Sequence, residues 1–287
     1  MADSAIAFRN KPTFLQHLRT DNWWLESALV LGVLLSFIIY STWAAWQGEY
    51  YWWSNGTEGF GGYLSPFYSP LLFIDVSRPG HAPMEHAWFG EWPDWLQSIW
   101  PPFLPSSPAW LILIFPLSFR FTCYYYRGAY YKAFAGSPPA CAVGGIPQKP
   151  YKGETGLLIF QNIHRYALYF AIIFIFILSY DAVLSFFRNG KLGIGVGSIV
   201  LLLNPIFLGA YTFGCHSYRH LIGGGHDCFN CQGGLNKIRY TGYKRVTWLN
   251  ERHKLFAWVS LFWVGFADVY VRLVSMGVIT DLNTWGN

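Results

Sequence analysis

Cys215, His216, His220, His226, Cys228 and Cys231 place three cysteines and three histidines within seventeen residues. Thiolate and imidazole are the ligands that hold zinc, haem iron and iron–sulfur clusters. The first three of these residues close an apolar stretch long enough to cross a bilayer. A polar, metal-binding side chain at that depth is expensive unless something partners it, so it reads by default as a functional site. The chemistry that suits it here is a redox metal centre. His216 and His220, four apart, share one helix face. Cys215 and His216 are about 100° apart around a helix, so both can serve one centre only at a distorted helix end. Cys228 and Cys231 form a C-x-x-C in a Gly-rich loop beside His226. That pair supplies only two of the four ligands of a structural zinc site.

The elements that must position these residues are membrane helices. Hydrophobic residues make up 53% of the chain and charged residues 12%, about half the charged share of a soluble domain. Aromatics reach 20%, as expected where amphipathic rings settle at headgroup depth. The net charge of +5 is spread over particular loops, not gathered in a patch with interleaved aromatics, so nucleic acid is not an expected partner. Five cysteines without a paired-spacing framework do not describe an oxidised, secreted domain. Met1 to Asn22 is polar and carries Arg9, Lys11 and Arg19, so no signal peptide is expected.

Apolar runs of about 20 residues match a hydrocarbon core of about 30 Å. Five occur: Leu25–Trp46, Ala109–Tyr126, Leu157–Phe187, Ile194–Tyr218 and Leu255–Val274. The second is short and interrupted by Pro116 and Arg120. The fold expected is all-α: a polytopic membrane protein with a five-transmembrane-helix bundle and a long Trp/Pro-rich external loop. A cytoplasmic arm over residues 1–24 precedes a single membrane domain over 25–287. Loop charge sets the orientation. Lys and Arg are abundant in the arm, in Arg127–Glu154 and in Leu221–Lys254, whereas Gln47–Pro108 has Arg78 against six acids. The positive-inside bias therefore places the N-terminus and both basic loops in the cytoplasm of a cell inner (plasma) membrane, with the C-terminus outside. Arg188 and Lys191 run against this bias but are outnumbered. The Gln47–Pro108 segment is too long for a simple connection and reads as an interfacial lid, with short helices around Met84–Trp100. Asp181 and Asp268 lie within spans, and Arg272, one turn from Asp268, suggests a structural ion pair.

With that orientation the scattered ligand-type residues fall at one depth. Cys123 ends the second span and Cys141 follows it. His164 lies two turns into the third, Cys215, His216 and His220 close the fourth, and His253 opens the fifth. No span carries histidine in its outer half. A transmembrane two-haem path needs axial ligands at both depths, so it is not expected; a single haem b between His164 and His216 or His253 stays open. Cysteine gathered with histidine suits a Rieske-type [2Fe–2S] cluster, with two thiolates on one iron and two imidazoles on the other. The ligand spacing of soluble Rieske domains is absent. A di-iron site would want more histidines than this side offers.

At these residues the chain resembles the single-chain membrane anchor of a haem-free class of succinate dehydrogenase, respiratory complex II. The stretches that carry the resemblance are Thr122-Cys-Tyr-Tyr-Tyr-Arg127, Pro138-Pro-Ala-Cys-Ala-Val143, Gln161-Asn-Ile-His-Arg-Tyr166, Cys215-His-Ser-Tyr-Arg-His220 and Phe262-Trp-Val-Gly-Phe-Ala-Asp-Val-Tyr270. They span the C-terminal two-thirds. The resemblance implies partner flavoprotein and iron–sulfur subunits on the cytoplasmic face, a membrane-embedded Rieske-type cluster and a membrane quinone, menaquinone or ubiquinone. It implies cluster ligands from among Cys123, Cys141, His164, Cys215, His216 and His253. Tyr124, Tyr166, Ser217, Tyr218, Arg219 and His220 are the expected quinone-binding groups. Two other readings stay beside this one: a b-haem quinone oxidoreductase subunit, and a non-redox anchor or transporter.

Overall fold

A computed structural model describes residues 13–54, 61–146, 155–224, 228 and 233–285, without the side chains of 155–158, 160 and 161. The chain is helical, with four helices long and apolar enough to cross a membrane among the described residues. The first, α1, is Trp24–Gln47. A two-residue ribbon follows, β1 (Trp52–Trp53) pairing antiparallel with β2 (Tyr63–Leu64). The short helices expected near residues 84–100 are a 3-10 turn at Met84–His86 and α2 at Asp94–Ile99.

The second expected span is divided. Helix α3 covers Ala109–Ile112 and α4 covers Ile114–Thr122. Pro116 has no N–H to donate to the Ile112 carbonyl, so the α-ladder breaks there. Cys123 then turns extended (φ −60°, ψ 131°) and caps α5, Tyr124–Ala133. The result is an apolar helical stretch of 109–122, shorter than the other four.

Helix α6 is Thr155–Leu184. A hairpin of β3 (Phe187–Arg188) and β4 (Lys191–Leu192) returns the chain to α7, Val196–Phe213. The expected fourth span ends early, at Gly214. Helix α8 (His216–Gly223) starts afresh, followed by α9 (Gly234–Glu251) and α10 (His253–Ser275).

The chain divides into two compact units, Met1–Tyr40 with Arg120–Ile163, and Ser41–Phe119 with His164–Asn287. In the first, the N-terminal arm is strapped to the loop that follows α5. Leu15 N–H donates to the Gly144 carbonyl (2.7 Å) and Gly144 N–H to Gln16 (2.8 Å). Arg19 Nη1 donates to the Cys141 carbonyl (2.9 Å) and Ser27 Oγ to Pro139 (2.6 Å).

In the second unit α10 packs along α7, and α8 against α9. About half of the membrane-length window is buried in α7 (50%) and α10 (56%), against 17% in α1 and 28% in α6. The core therefore sits between α7 and α10, while α1 and α6 leave most of their apolar surface for lipid.

Polar groups tie residues 48–108 to the helix ends. Arg272 and Asp268 form the expected buried pair, Nε to Oδ2 at 2.7 Å. The guanidinium also donates to Gln47 Oε1 (2.8 Å) and to the carbonyls of Glu49 (2.8 Å) and Ala44 (2.9 Å). Ser65 Oγ donates to Asp268 and Ser69 Oγ to Asp181. Asp281 accepts from Tyr63 (2.8 Å), Tyr270 (2.6 Å) and the Gly197 N–H (2.8 Å). Gly197 is required at that contact, since a Cβ there would lie 2.1 Å from the Tyr63 ring.

Candidate functional site

Four helices in the second unit carry a continuous run of rings. His164, on α6, is buried and stacks parallel on Phe119 of α4, with centroids 4.6 Å apart and an interplanar angle of 8°. Phe119 meets Tyr211, in the last turns of α7, edge-on at 5.5 Å. Tyr211 stacks on His253, the first residue of α10, at 4.9 Å and 17°. Two imidazoles from separate helices are thus joined through two buried aromatic rings.

Cys215 lies one turn beyond Tyr211. The sequence places it there through Gly214, where a Cβ would stand 2.8 Å from the Ala210 carbonyl and 3.0 Å from that of Leu249. Only glycine lets the end of α7 approach the end of α9 so closely. Asn250 Nδ2 seals the contact by donating to the Gly214 carbonyl (2.8 Å). Beyond it Cys215 turns extended (φ −72°, ψ 153°) and caps α8, its Sγ accepting from the Tyr218 N–H at 3.2 Å. The helix end is distorted here, and it leaves Cys215 buried and His216 exposed. Hydrogen bonds to sulfur of this kind tune thiolate ligands in metal centres.

The other expected donors divide by exposure. Cys215 (1% exposed) and Cys123 (2%) are buried helix caps, and no disulfide joins either of them or Cys141. Cys141 and His216 are exposed. Cys123 and Cys141 belong to the first unit; His164, Cys215, His216 and His253 belong to the second. His226 and Cys231, from the C-x-x-C loop, lie outside the described residues.

Among the expected quinone-binding residues, Tyr124, Tyr166 and His220 are exposed, while Ser217, Tyr218 and Arg219 are half-buried. Arg219 also has a clear packing task. It donates to Thr247 Oγ1 (3.2 Å) and to Tyr243 OH (2.6 Å), and lies over the Tyr243 ring, fastening α8 to α9. Tyr218 tilts against Phe213 at 5.0 Å.

Phe119 and Tyr211 were not foreseeable as part of this site. An aromatic residue in an apolar run carries the same signal whether it faces lipid or an imidazole. Among the described residues, no group of three or more His, Cys, Asp or Glu is placed to hold a metal ion. Within the second unit the donor types are a buried thiol that already accepts a backbone N–H and two imidazoles in a packed aromatic run, the kinds of ligand that a Rieske-type cluster takes.

The family model described as actinobacterial succinate dehydrogenase subunit SdhC matches residues 25–277. No curated protein matches the chain significantly. A solved chain of the Mycobacterium smegmatis Sdh1 complex in the apo form is similar, with 38% identity and a TM-score of 0.79 over 98% of each chain.

Proposed function

The chain belongs to the actinobacterial succinate dehydrogenase subunit SdhC family, and from that membership we propose that it is the electron conduit of its complex. In this reading it anchors the flavoprotein and iron–sulfur subunits at the cytoplasmic face and passes their electrons to a membrane quinone. The positive-inside bias of its loops supports that orientation.

The observation that carries the proposal is the packed run His164–Phe119–Tyr211–His253, with the buried Cys215 thiol in the next turn. A structural anchor needs no imidazoles packed among apolar rings at membrane depth, where polar groups are costly. The candidates to hold a [2Fe–2S] cluster are those the resemblance implies, Cys123, Cys141, His164, Cys215, His216 and His253. Within the second unit, the exposure of His216 ranks it behind His164, Cys215 and His253. When bound, such a cluster accepts single electrons at a potential raised by imidazole in place of thiolate.

The chain's own residues do the remaining work. The Tyr218 N–H holds the Cys215 sulfur at the start of α8. Phe119 packs on the His164 ring and Tyr211 on the His253 ring, which fixes the orientation of each imidazole. Tyr166, Ser217, Tyr218 and His220 offer hydroxyl and imidazole donors to quinone carbonyls, and His220, exposed on α8, would supply a proton as the quinol forms. Arg219 positions these groups by clamping α8 to α9.

Iron and acid-labile sulfide analysis, with EPR of the intact complex, tests this reading. The wild type is expected to hold one [2Fe–2S] cluster beyond those of its partner subunits. Cys215→Ser keeps an oxygen acceptor for the Tyr218 N–H, so α8 persists. Its complex is expected to assemble while losing that iron, that signal and succinate–quinone turnover. Retention of all three in Cys215→Ser defeats the proposal.

A further inference from the structure

Trp248, near the end of α9, is 51% exposed and stands among cations. On a helix surface the neighbours of a residue are those three and four positions away. Lys244 and Arg245 precede Trp248 at those distances, and both are exposed. Arg252 follows it by four. The Arg252 Cζ lies 4.3 Å from the centre of the Trp248 ring, and its Nη1 donates to the Trp248 carbonyl at 3.1 Å. The Lys244 ammonium rests over the Tyr240 ring at 4.8 Å. Glu251, the only acid between residues 233 and 255, pairs with Arg252 at 3.5 Å. Both of those side chains are exposed, so the pair is worth little. Three positive charges stand here against one negative.

This face leads into the exposed side of a membrane-length helix. Trp248 meets Phe256 of α10 with ring centroids 6.5 Å apart. Helix α10 is one of the four long and apolar enough to cross a membrane. Its Leu255, Phe262 and Phe266 recur at helical spacing and are all exposed, whereas Ala257, Leu261 and Asp268, on the opposite face, are buried. A stripe of large apolar side chains thus runs outward from the turn where the cations gather.

The combination identifies the occupant. A solvated basic face needs no tryptophan, whereas tryptophan settles at the headgroup level of a bilayer. Lys and Arg clustered just beyond a span attract anionic lipid. Protein interfaces are depleted in lysine, yet Lys244 lies beside the exposed ring. A phospholipid satisfies both halves of the surface. Its phosphate oxygens accept from guanidinium and ammonium groups, and its acyl chains cover the apolar stripe.

We propose that Lys244, Arg245 and Arg252, gathered around Trp248, bind the phosphate of an anionic phospholipid whose acyl chains lie along Leu255 and Phe262 of α10. The proposal rests on the membrane location of the chain and not on its redox role. Native mass spectrometry of the intact complex, reconstituted with equal phosphatidylglycerol and phosphatidylcholine, tests it. The wild type is expected to retain phosphatidylglycerol in preference to phosphatidylcholine. Arg245→Gln is expected to lower that preference about fivefold, the scale of one basic residue beside an anionic lipid. Arg245→Lys, which keeps the charge, should retain most of it. Lys237→Gln, two turns from Lys244 on the same exposed face of α9, should leave it unchanged. Millimolar inorganic phosphate should not displace the lipid.

Equal retention of the two lipids by the wild type overturns the proposal whether or not any variant assembles. So does an unchanged preference in Arg245→Gln, or an equal loss in Lys237→Gln, which would reduce the effect to general surface charge. Loss of a partner subunit from the Arg245→Gln complex, with lipid preference intact, would assign the face to protein docking and overturn the lipid reading. Displacement by inorganic phosphate would assign it to a free anion and do the same.

Discussion

Asp268 and Arg272 show what a buried charge needs in order to persist between membrane helices. The carboxylate accepts from Arg272 and from Ser65, and the guanidinium spends its remaining donors on Gln47 and on the Ala44 and Glu49 carbonyls. Asp268→Ala removes one partner and leaves the other buried and uncompensated, which costs about 3–5 kcal/mol. Thermal inactivation of the detergent-solubilised complex is expected to shift down accordingly. Ser65→Ala removes one hydrogen bond to a charged group, about 1.5–3 kcal/mol, and its shift should be smaller. The pairing of Asp268 with Arg272 was legible from their one-turn spacing. The partners from residues 44–65 were not, because they are more than 200 positions away in the chain.

Helix breaks decide where the candidate ligands point. Pro116, Cys123, Gly214 and Arg252 each stand at or beside an interruption, and the thiols of Cys123 and Cys215 are presented at new helix starts. Unbroken helices over 109–126 and 194–218 would leave neither Cys123 nor Cys215 at a helix cap. The contact of α7 with Tyr63 is equally specific. Gly197→Val forces a branched side chain into space the Tyr63 ring occupies. Overpacking of this kind costs about 1–3 kcal/mol, so chaotrope denaturation of the complex should begin earlier, with the bonds to Asp281 lost.

The 48–108 segment has its own pH dependence through Asp75. Partial burial pushes the Asp75 carboxyl up, but donors from Ser106, the Ser77 hydroxyl and N–H, and nearby Arg78 outweigh it and hold the group below its ordinary value. A carboxyl whose folded pKa is depressed stabilises fully above its unfolded pKa, and that contribution is lost as pH falls through the folded value. Digestion of the segment by an acid-active protease should therefore accelerate as pH drops below the usual aspartate range. Asp75→Asn, which lacks the carboxylate, should show little of that change.

At the scale of the molecule, membrane placement follows from bulk properties that survive any local rearrangement. Apolar windows of membrane length and an excess of basic residues in alternate loops predict that reporters fused at residue 1 stay cytoplasmic, while reporters fused after Asn287 are translocated. A C-terminal phosphatase fusion that is inactive outside the cell, with a green fluorescent fusion bright at the same position, would reverse the proposed topology.

The sequence by itself determined the membrane class, the long helices and, by its local stretches, the resemblance to a succinate dehydrogenase membrane subunit that family membership bore out. Those properties reside in composition and short-range spacing. Tertiary structure alone decided that Phe119 and Tyr211 join His164 to His253, that Gly214 brings the ends of α7 and α9 together, and that Asp268 and Arg272 find partners in residues 44–65. Each of these depends on which atoms from distant segments share a few ångströms, and residue type along one segment carries no record of its neighbours from another.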